Sequence, residues 1–78
     1  MVVSRLVQLV AGVLERPVTE IDGQTGPATA AEWGSLRHLQ IIAAVEDAYG
    51  VSFAPREIRA VSSVGDLRDL LRRRGIPE

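Results

Sequence analysis

Ser35, in the tripeptide Gly34-Ser35-Leu36, is the residue of this sequence best placed to do chemistry. It follows Trp33 and precedes a long apolar-periodic run, so its hydroxyl opens a helix. The first turn of a helix exposes unpaired N–H groups and carries partial positive charge. A phosphate group suits that place, and a serine hydroxyl can carry one covalently. Serine is also a preferred helix cap, but Gly34 can take that role and leave the hydroxyl free. His38 follows at the three-residue spacing that brings side chains together on one helix face. A serine–histidine pair invites nucleophilic catalysis. No oxyanion loop, orienting acid or substrate pocket accompanies it, so the reading is not an enzyme. His38 is expected at the surface, flanking a partner site.

The other candidates carry less chemistry. Glu46 and Asp47 are adjacent and diverge around a helix, so they form neither a carboxylate dyad nor a metal pair. They read as a solvated face open to partner contact. Arg72, Arg73 and Arg74 close the last periodic run, where cations complement the helix dipole. Trp33 is the sole tryptophan, and it is expected to pin the end of a flexible connection against the helical body. The sequence has no cysteine, which removes a cysteine nucleophile and a thiolate metal site. Any thiol chemistry must arrive on a cofactor.

Four apolar-periodic segments position these residues. Val3, Leu6, Val7, Val10, Val13 and Leu14 recur at helical steps, with Ser4 or a residue nearer Val2 at the start and Pro17 stopping the run. Gly12 sits inside it, a small residue suited to close approach of another helix. From Pro17 to Trp33 the periodicity vanishes into a long mobile connection, with Ile21 as its inward anchor and Ala28–Glu32 as a short helical turn. Ser35–Tyr49 is the strongest helix. Leu36, Leu39, Ile42, Ala43, Val45, Ala48 and Tyr49 repeat along it, and Gly50 supplies a left-handed cap. Pro55–Ala60 is a brief third helix with Ile58 and Val61 inward. Ser63-Val64-Gly65-Asp66 approximates a capping box and opens a fourth helix to about Arg74, with Val64, Leu67, Leu70 and Leu71 inward. The predicted fold is all-α: a four-helix bundle with a short third helix and a long loop between helices one and two.

Composition fits one domain, residues 1–78. The 78 residues are 46% hydrophobic, so aliphatic packing must hold a small core. The formal charge of −1 gives no nucleic-acid signature. No apolar run reaches membrane-spanning length and no signal-peptide layout appears, so the expected place is the cytoplasm and the expected state a monomer.

Three stretches then point to a family: Trp33-Gly34-Ser35-Leu36-Arg37-His38-Leu39, Val45-Glu46-Asp47-Ala48-Tyr49-Gly50-Val51-Ser52-Phe53, and Val61-Ser62-Ser63-Val64-Gly65-Asp66-Leu67. Together, and in this order, they resemble an acyl carrier protein across nearly the whole chain. The resemblance implies a 4′-phosphopantetheine arm on Ser35, joined through a phosphodiester, whose thiol holds acyl or aminoacyl intermediates as thioesters. It implies a phosphopantetheinyl transferase and acyl-loading and acyl-processing enzymes as partners. Helix two would face them through Gly34, Leu36, Arg37, Leu39, Glu46 and Asp47. The family motif is usually Asp-Ser-Leu, and Gly34 stands where the aspartate helps the transferase dock. The resemblance therefore leaves two readings, a modified carrier or a carrier-like interaction module that lacks the arm. Trp33 before the motif, the mixed charge of helix two and the arginine-rich composition direct the carrier reading toward polyketide, nonribosomal peptide or related specialised biosynthesis.

Overall fold

Ser4 caps the first helix: its Oγ accepts the Val7 amide at 3.1 Å, and α1 runs Arg5–Leu14. The computed structural model describes residues 4–78, so Val3 lies outside the described residues. Glu15 ends α1 in the left-handed region at φ 58°, and the amides of Glu15 and Arg16 both return to Ala11 O. A non-glycine residue in that conformation costs about 1 kcal/mol. Pro17 then blocks continuation and leads into a single 3₁₀ turn, Val18–Glu20.

The remaining helices are α2 (Ser35–Tyr49), α3 (Pro55–Ala60) and α4 (Val64–Arg73). No strand occurs among the described residues. The all-α four-helix architecture therefore stands, with α4 stopping one residue short of Arg74. Gly50 closes α2 at φ 66°, where its amide reaches Glu46 O. Pro55 occupies the first turn of α3, where a missing N–H costs nothing. Ser63 caps α4 by accepting the Asp66 amide at 3.2 Å. The box is not reciprocal, because the Asp66 carboxylate turns to the Ser62 amide and hydroxyl at 2.9 and 2.8 Å.

α1 packs on α2 and α4 around one core. Leu6, Val10 and Leu14 meet Ile41, Ile42 and Val45 of α2, with Val64, Leu67, Leu70 and Leu71 of α4. One expectation fails, and the two apolar stripes of α2 are told apart. Gly12 is exposed, and a Cβ there would meet nothing within 4 Å, so no helix approaches closely at Gly12; its neighbour Ala11 is the small residue that is buried. In α2 the inner face is Ile41, Ile42 and Val45, whereas Leu36, Leu39 and Ala43 are exposed. Both stripes have helical spacing, so periodicity alone did not separate them.

The first connection is tied down rather than mobile. Ile21, Thr25, Ala30 and Trp33 are buried along it. Its turns are built on side chains: Gln24 N donates to Asp22 Oδ1 at 2.8 Å, and Gly26 N donates to Thr29 Oγ1 at 3.0 Å. The expected turn at Ala28–Glu32 begins earlier, at Gly26, whose carbonyl accepts from both Thr29 and Ala30. The loop also completes α4. Val64 N donates to Thr25 O and Gly65 N to Gly23 O, each at 2.9 Å, so the orphan amides of that helix are satisfied from a distant segment. This approach leaves no room for a side chain at Gly26, where a Cβ would stand 2.0 Å from Ser62 O.

Candidate functional site

The start of α2 collects the residues singled out in the sequence. Gly34 is the cap residue, extended at φ −92° and ψ −169°, and it offers no side chain to the helix. Its carbonyl accepts the His38 amide at 2.8 Å, the first bond of the helix. Ser35 is the first helical residue, and it is exposed. The amides of the first turn meet no capping side chain, and no acidic residue occupies that turn. An added Cβ at Gly34 would meet nothing within 4 Å, so the approach to Ser35 from that side is open.

Beside Ser35, Leu36 is 68% exposed and Leu39 58% exposed. They are the large exposed hydrophobic residues of the described chain, and they lie on the outer stripe of α2 with Gln40, Ala43 and Asp47. That stripe carries no charge until Asp47. Single exposed leucines are ordinary, but here two adjoin an exposed hydroxyl and form a local apolar patch.

Arg37 and Glu46 have internal duties. The Arg37 guanidinium donates to Val13 O and lies 3.6 Å from Glu15, tying α2 to the end of α1. Glu46 is half-buried, and its Oε2 accepts the Phe53 amide at 2.8 Å, fastening the link that follows α2. Asp47 is exposed. Glu32, two residues before Gly34, is held by Arg16 through two bonds, Nε to Oε2 and a 3.0 Å contact from the other guanidinium arm to Oε1. This bond to Arg16 holds its carboxyl below the usual range. Glu32 is therefore committed to Arg16 and does not stand in for an acid at position 34.

Trp33 is buried, as its expected anchoring role requires. Its indole Nε1–H donates to His38 Nδ1 at 3.0 Å, and the rings lie 6.2 Å apart at 37°. The other imidazole nitrogen, Nε2, lies 2.8 Å from Ile58 O in α3. An indole N–H only donates and a carbonyl only accepts, so the tautomer is fixed: Nδ1 bare, Nε2 protonated. His38 is thus not the surface histidine of a partner site, and it is not a base for Ser35. Both ring nitrogens are spent inside the fold. The sequence placed His38 near Ser35 by helical spacing, yet its ring lies with Trp33, a partner that the spacing alone did not single out.

The arginine cluster divides. Arg74 binds Glu57 with both guanidinium arms, at 3.2 and 2.8 Å, donates to Ser52 O at 3.0 Å and lies 4.7 Å from the centroid of the Phe53 ring. It fixes the α2–α3 link, where a dipole role was expected. The Arg74 bond, reinforced by the Ala54 amide, brings the Glu57 carboxyl down to about 2. Arg72 and Arg73 stay in the last turn of α4, as the dipole argument asks. A groove of about 350 Å³ lies between α3 and α4, floored by Ala60, Val61 and Leu70, and its lining includes no residue of α2. No group of histidine or acidic side chains that could hold a metal occurs among the described residues. No helix among them is long and apolar enough to cross a membrane.

The arrangement can do one thing: present an exposed primary hydroxyl at a helix start, beside an apolar patch, on a frame anchored from three elements. Comparison with protein families agrees with that geometry. The phosphopantetheine attachment site family matches residues 4–71. A comparison with curated proteins returns no match.

Proposed function

Because the chain belongs to the phosphopantetheine attachment site family, we propose that Ser35 is its attachment residue and that the protein is a carrier of acyl or aminoacyl thioesters. Members of the family hold 4′-phosphopantetheine covalently on a serine, and that arm supplies the thiol this cysteine-free chain lacks. The observation that carries the assignment is the exposed Ser35 hydroxyl on the first turn of α2, with open space at Gly34. Ser35 Oγ would give up its proton to a base of the transferase and bond to the pantetheine-bearing phosphorus of coenzyme A, while the pyrophosphate bond breaks and adenosine 3′,5′-bisphosphate leaves. The transferase catalyses that step. The carrier contributes positioning and a raised local concentration of its tethered cargo.

Leu36 and Leu39 form the contact patch for the transferase and for acyl-loading and acyl-processing enzymes, with Gly34 and Asp47 at its margins. Arg37 and Glu46 serve the same face indirectly, by holding α2 to α1 and to the link that follows it. A stripe uncharged over its first turns relies on apolar fit more than on charge steering. With Trp33 before the motif and the arginine-rich composition, we read the pathway as polyketide, nonribosomal peptide or related specialised biosynthesis, and we propose a cytoplasmic monomer.

Intact-mass measurement after incubation with a broad-specificity phosphopantetheinyl transferase and coenzyme A tests the assignment. The wild type should gain one phosphopantetheine and Ser35→Ala none. An unmodified wild type, or a modified Ser35→Ala, would remove Ser35 from the role. Gly34 motivates a second reading, an interaction module without an arm. It prevails if the wild type stays unmodified while Gly34→Asp accepts the arm.

A further inference from the structure

The attachment site carries a device that neither its motif nor its family requires. His38 joins three separate elements: the end of the first loop through Trp33, the first turn of α2 through its own backbone, and α3 through Ile58 O. We infer that neutral His38 is the positioning residue of the attachment site, a proton-sensitive bracket that holds the Ser35 turn in register with the loop and α3.

The bracket works in one protonation state. Trp33 Nε1–H needs a bare Nδ1, and Ile58 O needs a protonated Nε2. A proton added to His38 goes to Nδ1, the only ring nitrogen that lacks one. Two N–H donors then face each other across the 3.0 Å contact, and the indole must withdraw. No carboxylate stands ready to compensate the added charge. Glu32 of the loop is held by Arg16, Glu57 of α3 by Arg74 and the Ala54 amide, and Glu15 at the end of α1 faces Arg37. The remaining charged side chains of α3 are Arg56 and Arg59, so that helix offers no other carboxylate. Withdrawal of Trp33 frees the residue immediately before Gly34, so the loop end and the Ser35 turn lose their shared reference.

The consequence for modification rests on the carrier reading, whereas the bracket itself is a property of the fold. The chain has one tryptophan and one histidine, so each half has a clean signal. Acidification from about pH 8 to about pH 5 spans the range in which histidine charges. Across it, Trp33 emission should shift to the red and its indole N–H resonance should broaden or move. In His38→Asn the amide oxygen replaces the Nδ1 acceptor without titrating, and the profile should be flat. The rate of phosphopantetheine transfer to Ser35, taken as the ratio of wild type to His38→Asn at each pH, should fall several-fold on acidification. His38→Ala should be modified several-fold more slowly than wild type at neutral pH, and His38→Asn, which keeps the Trp33 tie and loses the one to Ile58 O, should recover part of that rate. A wild-type Trp33 signal indifferent to pH, or the same pH shift in His38→Asn, overturns the proton sensitivity of the bracket even if His38→Ala fails to fold. Wild-type modification rates in a folded His38→Ala overturn the positioning role. Absence of any mass gain in the wild type while the Trp33 signals behave as described overturns the carrier reading and its positioning consequence, and leaves the bracket standing.

Discussion

Replacing Gly34 with aspartate should stabilise this protein, although the residue sits at the centre of the candidate site. The backbone at position 34 is extended, φ −92° and ψ −169°, a conformation open to any L-residue. The new Cβ would meet nothing within 4 Å, so no steric cost offsets the gain. Three contributions add. An aspartate cap in place of glycine is worth a few tenths of a kcal/mol, by accepting an amide of the first turn. A negative charge at a helix start adds about 0.3–1 kcal/mol at an exposed site. Loss of glycine freedom in the unfolded chain adds about 0.4–1 kcal/mol. The sum is about 1–2 kcal/mol, and each kcal/mol raises Tm by about 4–8 °C in a domain of this size. Thermal melts of wild type, Gly34→Asp and Gly34→Ala would measure it. Alanine keeps the unfolded-state gain but caps poorly, so the gap between Asp and Ala isolates cap and charge. A carboxylate favoured by helix amides has a folded pKa below its unfolded value of about 3.9. Its contribution is therefore full above that unfolded value and disappears as pH falls through the folded one. A Tm for Gly34→Asp equal to or below wild type at neutral pH would refute the reasoning. An Asp–Ala gap undiminished in strong acid would refute the electrostatic part.

Three further outcomes test the frame. Gly26→Ala drives a Cβ to within 2.0 Å of Ser62 O, a backbone atom, and should cost about 3 kcal/mol in denaturant melts, whereas Gly12→Ala enters open space inside α1 and should gain about 0.5–1 kcal/mol. Glu57 is depressed to about 2 by Arg74, so its contribution is complete above the usual carboxylate range and lost as pH falls through about 2; melts of wild type and Glu57→Gln should converge only in that acidic window. Tyr49 OH donates to Glu78 Oε2 at 2.7 Å while Glu78 Oε1 takes the Leu6 amide, so Tyr49→Phe should lower stability by about 1 kcal/mol by equilibrium unfolding.

The helix boundaries were legible because their punctuation is chemical. Ser4, Pro55, Ser63, Gly50 and Gly75 each perform a capping or terminating role that their residue type advertises, and the last two sit at positive φ. The exposed helix start at Ser35 was legible for the same reason. Periodicity did not divide the two apolar faces of α2, since a period of 3.6 does not say which one meets the core; Leu36 and Leu39 were set apart through the family resemblance alone. Only the whole packing places Ile41 inside and Leu36 outside. The first connection misled for a different reason. Its composition of Gly, Pro and Thr signals the absence of a helix, whereas its rigidity comes from bonds to α4 some forty residues away, through Thr25 O and Gly23 O. Long-range partners also removed Arg37, Glu46 and Arg74 from the free surface. Each reads as solvent-facing by helical position, and each donates to or accepts from backbone that the local pattern does not contain.

These ties bear on how a carrier can tether a moving group without moving itself. The start of α2 is held to α1 by Arg37 and Val13 O, to the loop by His38 and Trp33, and to α3 by His38 and Ile58 O. Every one of those bonds leaves from the side of α2 away from Leu36 and Leu39, and none involves Ser35. The hydroxyl therefore sits on the one face of a triply anchored turn that the fold does not use. Gly34 extends that freedom to the neighbouring position, where a larger residue would fit but none is present. A long flexible arm rooted at Ser35 would then supply the reach, and the protein beneath it would supply a fixed origin. On the proposed function, a partner that gripped Leu36 and Leu39 would find the root at a fixed distance, because loss of register there would spend, as conformational entropy, the proximity that tethering provides.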